Sequence, residues 1–480
     1  MSIFLATAVN LSAKTLLVAK TGTAYATVQA GLSAANAGDT VLVKAGTYNE
    51  HVAFGKSGSA SAGYITLLGE KGAILDGTGV GGDFLVSIDS KSYAKVVGFE
   101  IQNLKGSGTP MGISISGGGS YIEIRDNHVH NIENANGNAH GIAAYGTAAI
   151  PISHLVVDGN EINACKLGQS ESLVLNGNVT EFTVSNNVVH DNDNIGIDFI
   201  GFEGNGPNGQ DQARGGLCSG NHVYNISSAA NPTYKGERSA DGIYVDGGRD
   251  IIIERNTVDN CDIAFEIASE HGGKSTSKIT IRDNFASRSF QGNIMAGGYA
   301  SNKGNADSIV IVNNTTYSGK DGEILLQNNC RAVTLKNNIC YAASGGGYLV
   351  QSGTNNTDIT ADNNLYYGGS TSSSGAWKDA HAIFADPKLE SAPADLHLLA
   401  GSPAIDAGAA SDAAITGTLD VDGGARVGGA RIDIGADESG VTTTARPQSL
   451  RPRANPPGTS AWNGLGRMSL RGNLWKSARP

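Results

Sequence analysis

From about residue 95 to 370 the chain repeats one arrangement: a β-branched run, an asparagine, then another short apolar pair. The copies centre on Asn127, Asn160, Asn187, Asn221, Asn256, Asn284, Asn314, Asn338 and Asn364, spaced 24 to 35 residues apart. A variable period of this size predicts a coil of strands whose insertions form surface loops. Asparagine suits a corner of such a coil. It tolerates left-handed backbone, and its amide can bond to the asparagines above and below. A structural role is therefore expected for all of them.

A second strand follows each asparagine, with side chains alternating between inside and outside. Its inward pairs read Ile113/Ile115, Ile142/Ala144, Leu173/Leu175, Ile197/Phe199, Ile243/Val245, Ile263/Phe265, Ile324/Leu326 and Tyr348/Val350. The outward position after each pair is then Ser116, Tyr145, Asn176, Ile200, Asp246, Glu266, Gln327 and Gln351. Asn293-Ile-Met-Ala admits two registers. In this alignment Asp246 and Glu266 share a column on consecutive coils, and Asp198 is offset by one outward position. Upstream, Thr27–Asn36 predicts a short helix and Thr40–Tyr48 a strand with a turn, together covering the open end of the stack. The division that results is a leader remnant over 1–15, a repeat domain with its caps over 16–440, and a Pro-, Arg- and Ser-rich tail over 441–480. That tail is expected to be disordered.

Composition narrows the ligand. Gly is high at 66 of 480 residues and charged residues are few at 16%, which suits short strands and tight turns. The net charge is −11, but 441–480 holds seven of the 34 basic residues and no acid. Residues 1–440 therefore carry 27 basic and 45 acidic groups, or −18. An acidic body excludes nucleic acid as the main ligand. It fits a neutral glycan, or an anionic one bridged by a cation. Five cysteines without paired spacing do not make a disulfide framework, and Cys165 and Cys261 read as small buried thiols. No apolar run reaches the roughly 18 residues of a membrane span.

Two features carry a resemblance to the right-handed parallel β-helix of the pectate-lyase-like superfamily. They are Gly38-Asp-Thr-Val-Leu-Val-Lys-Ala-Gly-Thr-Tyr48 and the asparagine-centred coils. Gly401-Ser-Pro-Ala-Ile-Asp-Ala-Gly408 and Arg431-Ile-Asp-Ile-Gly-Ala-Asp-Glu438 look like the closing segment of secreted β-helix proteins. The resemblance implies an all-β solenoid with an N-terminal helical cap. It also implies a monomer, secreted, periplasmic or on the cell surface, that acts on a polysaccharide.

Three close carboxylates repel unless a cation or a shared proton relieves them. Calcium, held by Asp198, Asp246 and Glu266, is one resolution. The run Asn260-Cys-Asp-Ile-Ala-Phe-Glu266 through Lys274 is similar to the calcium-plus-lysine strand of the alginate lyase and chondroitinase B family. That likeness implies Lys274 as the base of a β-elimination on a uronate polymer. The family's first Glu falls at Ala264, and its next-coil Arg has no counterpart around Ala296–Tyr299, so Lys235 and Arg238 would supply the missing charge. The second resolution is a glycosidase pair. Tyr244-Val-Asp246 with Ala264-Phe-Glu266-Ile is similar to the catalytic strands of β-helical β-xylosidases, implying Asp246 as nucleophile and Glu266 as acid/base of a retaining hydrolase. Glu270 and His271, with the insertion 203–240, are expected to wall the groove. Tyr145, Tyr244, Phe202 and Tyr299 would offer aromatic faces to sugar rings. The leading expectation is a calcium-assisted polysaccharide lyase. The alternatives are a retaining glycoside hydrolase and a non-catalytic glycan-binding protein.

Overall fold

A computed structural model describes residues 13–134, 137–207, 209–343, 345–369, 378–410 and 412–441. Most of the leader and nearly all of the basic tail lie outside the described residues. The chain winds as a right-handed parallel β-helix whose coils contribute to three parallel sheets of 14, 13 and 11 strands. One apolar stack shows how the interior is filled. Ile124, Val157, Val184, Cys218, Ile253, Ile281, Ile311 and Leu335 lie level on successive rungs and are inaccessible to solvent. All five cysteines are free and buried, and burial raises the Cys165 thiol to about 12.

The nine asparagines form one continuous ladder. From Asn160 onward each Oδ1 accepts both the backbone N–H and the side-chain N–H of the asparagine on the preceding coil, at 2.9–3.1 Å. The same side-chain nitrogen also donates to a carbonyl, as from Asn256 to Cys218 at 3.0 Å. The ladder starts at the N–H of Phe99 and ends on the carboxylate of Asp379. One expectation is corrected here. The left-handed residue of the corner is the one before each asparagine, as at Asp126, Asn186 and Arg255 with φ of 53°, 53° and 54°. The asparagine itself is needed for its amide rather than for a strained backbone.

The helix Val28–Ala34 lies on the first strands. Thr27 caps it, and the Glu50 carboxylate accepts the N–H groups of Val28 and Gln29. Gly31 lets the backbone approach closely, since a Cβ there would lie 2.5 Å from Val18 Cγ2. At the other end, residues 402–410 and 412–441 fold back along the asparagine corner. Asn337 exchanges hydrogen bonds with Ala409, and Asn313 donates to the Asp433 carbonyl. Arg426, 2% exposed, locks this segment by pairing with Asp283 and Glu438 at 3.0 Å each and donating to three carbonyls.

Two substitutions test these locks in urea or thermal unfolding. Asn256→Ala leaves the two N–H groups of Asn221 buried and unpaired, and is expected to destabilise by about 2–4 kcal/mol. Arg426→Ala strands the Asp283 carboxylate in the interior, with an expected loss of about 3–5 kcal/mol.

Candidate active site on the outer face of one sheet

In the 11-stranded sheet, Ile197–Ile200, Asp241–Asp246, Ile263–Ala268 and Gly292–Ala296 are successive rungs. Ile197, Phe199, Ile243, Val245, Phe265 and Ile267 are all buried in the core. Alternation therefore turns Asp198, Tyr244, Asp246 and Glu266 outward. The inward pair on Ile263–Ala268 is Phe265/Ile267, two residues beyond the expected Ile263/Phe265. Glu266 consequently lies level with Tyr244, as does Asp198, whereas Asp246 is level with Ala268. A one-residue correction applies later, where Leu349 and Gln351 rather than Tyr348 and Val350 are level with Ile324 and Leu326. The open register at Asn293 is settled with Ile294 and Ala296 inward.

A bend in the strands causes the slip. Gly242 and Ala264 also face the interior: a Cβ on Gly242 would lie 2.4 Å from Val258 Cγ1, and Ala264 belongs to the core. Two successive inward residues turn Asp241 and Ile263 to the outer face. Ile263 packs there with Met295 and Leu325, outside the main core.

Asp241 thereby meets Glu266, and their carboxyl groups hydrogen-bond. Both are buried, at 2% and 9% exposure. Burial, reinforced by the neighbouring Glu266 charge, raises Asp241 far above the carboxylate range, so it holds the proton and donates it toward Glu266. Glu266 also accepts from Gln327 Nε2 at 2.8 Å, yet burial pushes it up to about 7. The sequence reading left Asp241 unassigned. The cue was the glycine after it, which lets the strand bend.

Rungs are about 4.8 Å apart and residues rise about 3.3 Å along a strand. Asp198 and Glu266 are thus separated by about 9.6 Å at the backbone, and Asp246 and Glu266 by about 8 Å along a diagonal. Asp198, Asp246 and Glu266 stand on three coils. Among the described residues, no group with ligand atoms within 4.8 Å of one another unites them. Asp246 instead accepts the N–H of Glu270 at 2.9 Å and lies beside Glu203 and His271.

The remaining expected residues separate. Tyr244 is buried at the centre of the face, its hydroxyl pKa raised by burial and then by Asp246, Glu270 and Glu266. Lys274 is exposed, with its ammonium 5.3 Å from the centroid of the Phe202 ring. Arg238 is held by the buried Asp262 at 2.7 Å and lies over Phe290, while Lys235 is exposed. The sequence reading missed one cation, Lys303 on the next coil. Its ammonium lies over Tyr299, and a hydrogen bond to Tyr299, then the charges of Glu270 and Asp246, raise its pKa. Tyr145 donates to the neutral His140 at 3.0 Å, burial having lowered that imidazole to about 4.

Glu266 binds a proton in the folded state that the unfolded chain releases between about pH 4.5 and 7. Stability from this proton is complete below the lower value and lost as pH rises to the upper one. Glu266→Gln is expected to be more stable than the parent at about pH 8, by on the order of 1–3 kcal/mol. That gap should close toward pH 4.5, as followed by melting curves.

No family model matches the chain. The fold is shared with pectate lyase Pel9A, at TM-score 0.52 and 16% identity over 89% of this chain and 97% of that one. It is shared also with PfbA, a surface adhesin of Streptococcus pneumoniae, at TM-score 0.51 and 13% identity over 74% and 87%. The uncharacterized protein YwoF of Bacillus subtilis (strain 168) is 35% identical over 349 residues, 69% of this chain and 74% of that protein. This chain belongs to the same family as YwoF, and its fold is the right-handed parallel β-helix.

Proposed function

We propose that the protein is a carbohydrate-active enzyme that hydrolyses glycosidic bonds of a polysaccharide with inversion. Glu266 is the proton donor and Asp198 the base that activates water. The observation that carries this reading is the buried Asp241–Glu266 pair, which keeps a carboxyl protonated near neutral pH on an outward-facing sheet. A donor poised near the working pH is what general acid catalysis needs. The backbone spacing of Asp198 and Glu266 is near the roughly 6.5–9.5 Å carboxyl separation of inverting enzymes and wider than the 5–5.5 Å of retaining ones. Both acids accept a backbone N–H, Asp246 from Glu270 at 2.9 Å and Asp198 from Asp246 at 3.4 Å, and Asp198 is the one in the column of Glu266. A polymeric glycan substrate implies a secreted or surface location.

Calcium-assisted β-elimination is the second reading, favoured by the shared fold with a pectate lyase and by Lys303 near Asp246 and Glu270. Its weakness is the direction of the Lys303 shift, because a catalytic lysine base needs a lowered pKa. The likeness to an adhesin supports a third, non-catalytic glycan-binding reading.

The test is a screen of neutral and uronate polysaccharides read by reducing ends, by anomeric NMR and by the ultraviolet absorbance of unsaturated uronate ends. Hydrolysis predicts new reducing ends of inverted configuration without that absorbance. Glu266→Gln should lower kcat about 10²–10⁴-fold on the polymer but much less on aryl glycosides with good leaving groups. The parent's kcat/KM should fall as pH rises through about 7, where Glu266 loses its proton. Unsaturated products would replace this mechanism with elimination, and binding without cleavage would leave the third reading.

A further inference from the structure

We infer that Glu203, Asp246 and His271 form a site for a divalent transition-metal ion beside the outward acids of the 11-stranded sheet. Each offers one ligand atom, and the three atoms lie within 4.8 Å of one another. They come from the loop after Ile197–Ile200, the end of Asp241–Asp246 and the loop after Ile263–Ala268. Asp246 is buried, His271 half-buried and Glu203 exposed, so the group opens outward from a fixed base.

A second, independent observation comes from the imidazole. His271 Nε2 is shielded from solvent yet has no hydrogen-bond partner. A buried ring nitrogen in that condition costs free energy unless something binds it. The carboxylates beside it are braced from behind, as metal ligands characteristically are. Asn176 donates to Glu203 at 3.2 Å and is itself bonded by Asn205 at 3.0 Å, while the Glu270 N–H holds Asp246. The other such group among the described residues, Glu100, His128 and His130, lacks this signature. There His128 Nε2 is paired with Asn163 at 2.8 Å and His130 Nε2 with Glu100 at 3.1 Å.

The donor set selects the ion class. Calcium and magnesium take oxygen ligands, whereas one imidazole with two carboxylates suits zinc, manganese or iron. Three protein ligands leave coordination positions open toward solvent, the arrangement of sites that also bind water or substrate. The inference concerns binding alone and holds or fails whatever the protein cleaves.

The test uses the full chain without a polyhistidine tag, stripped with chelator and titrated calorimetrically with Zn²⁺, then with Ca²⁺. One saturable Zn²⁺ site is expected, with Ca²⁺ at least tenfold weaker. His271→Ala and Glu203→Gln should each weaken Zn²⁺ at least tenfold without lowering the melting temperature of the stripped protein. The double variant His128→Ala/His130→Ala should bind as the parent does. The assignment is overturned by the absence of saturable Zn²⁺ binding, by full affinity in His271→Ala, by Ca²⁺ binding as tightly as Zn²⁺, or by a loss confined to the His128/His130 variant.

Discussion

An asparagine amide bonded to its counterparts on the coils above and below, and to a backbone carbonyl beside it, sets the geometry of this molecule. Each ladder asparagine carries two donors on one nitrogen and two acceptor sites on one oxygen, and the stack uses both ends. Asn256 donates to Asn284 and to a carbonyl, and accepts twice from Asn221. Aspartate would lose the donors and serine the span between coils, so the position admits little substitution. Once one corner per coil is fixed at the rung spacing, the chain may differ in length everywhere else. That is how coils separated by 24 residues and by 35 residues stack in one solenoid. The expected insertion 203–240 is not a single loop, because Arg214–Ser219 and His222–Tyr224 within it are regular rungs of the 14- and 13-stranded sheets.

The solenoid was legible because its determinants are periodic: the asparagine, the β-branched run and the apolar pair recur in every copy. The ladder corner was placed correctly, although its left-handed residue was assigned one position late. Register on the carboxylate sheet was harder for a local reason. Simple alternation fails where Gly242 and Ala264 join Ile243 and Phe265 in facing inward. Ile263, an apolar residue, then serves an outer cluster with Met295 and Leu325. An isoleucine looks the same in sequence whether it fills the core or an external patch. Reading it as core moved Glu266 by two positions and hid its contact with Asp241. His271 and Glu203 were noticed as loop residues, but nothing in a linear reading brings loops of different coils together. Lys303 was missed for the same reason.

The interior supplies a control for reading chemistry into raised carboxyl pKa values. Glu323 is fully buried and pushed up to about 8, higher than Glu266. Its oxygens accept from Asn293 at 2.6 Å and from the Gly319 N–H at 2.8 Å. It follows Gly322 at the start of its strand, on the rung after Asn293, and packs toward Cys340 and Thr316. Burial alone accounts for that shift, and no substrate can reach such a group. A raised pKa therefore does not distinguish Glu266.

What distinguishes Glu266 is its company and its side of the sheet. Glu323 has neutral amide partners, whereas Glu266 shares a proton with Asp241 and feels the charge of Glu270. Asp198 stands in its own column and Asp246 on the intervening coil. Gathering this many acids on one face destabilises the fold near neutral pH, and the core stack would be equally well served by neutral residues at every one of these outward positions. A solenoid has dozens of outward positions and these acids crowd onto a few adjacent rungs. Concentrated electrostatic cost at one place on an otherwise repetitive scaffold is the physical mark of a site kept for chemistry rather than for folding.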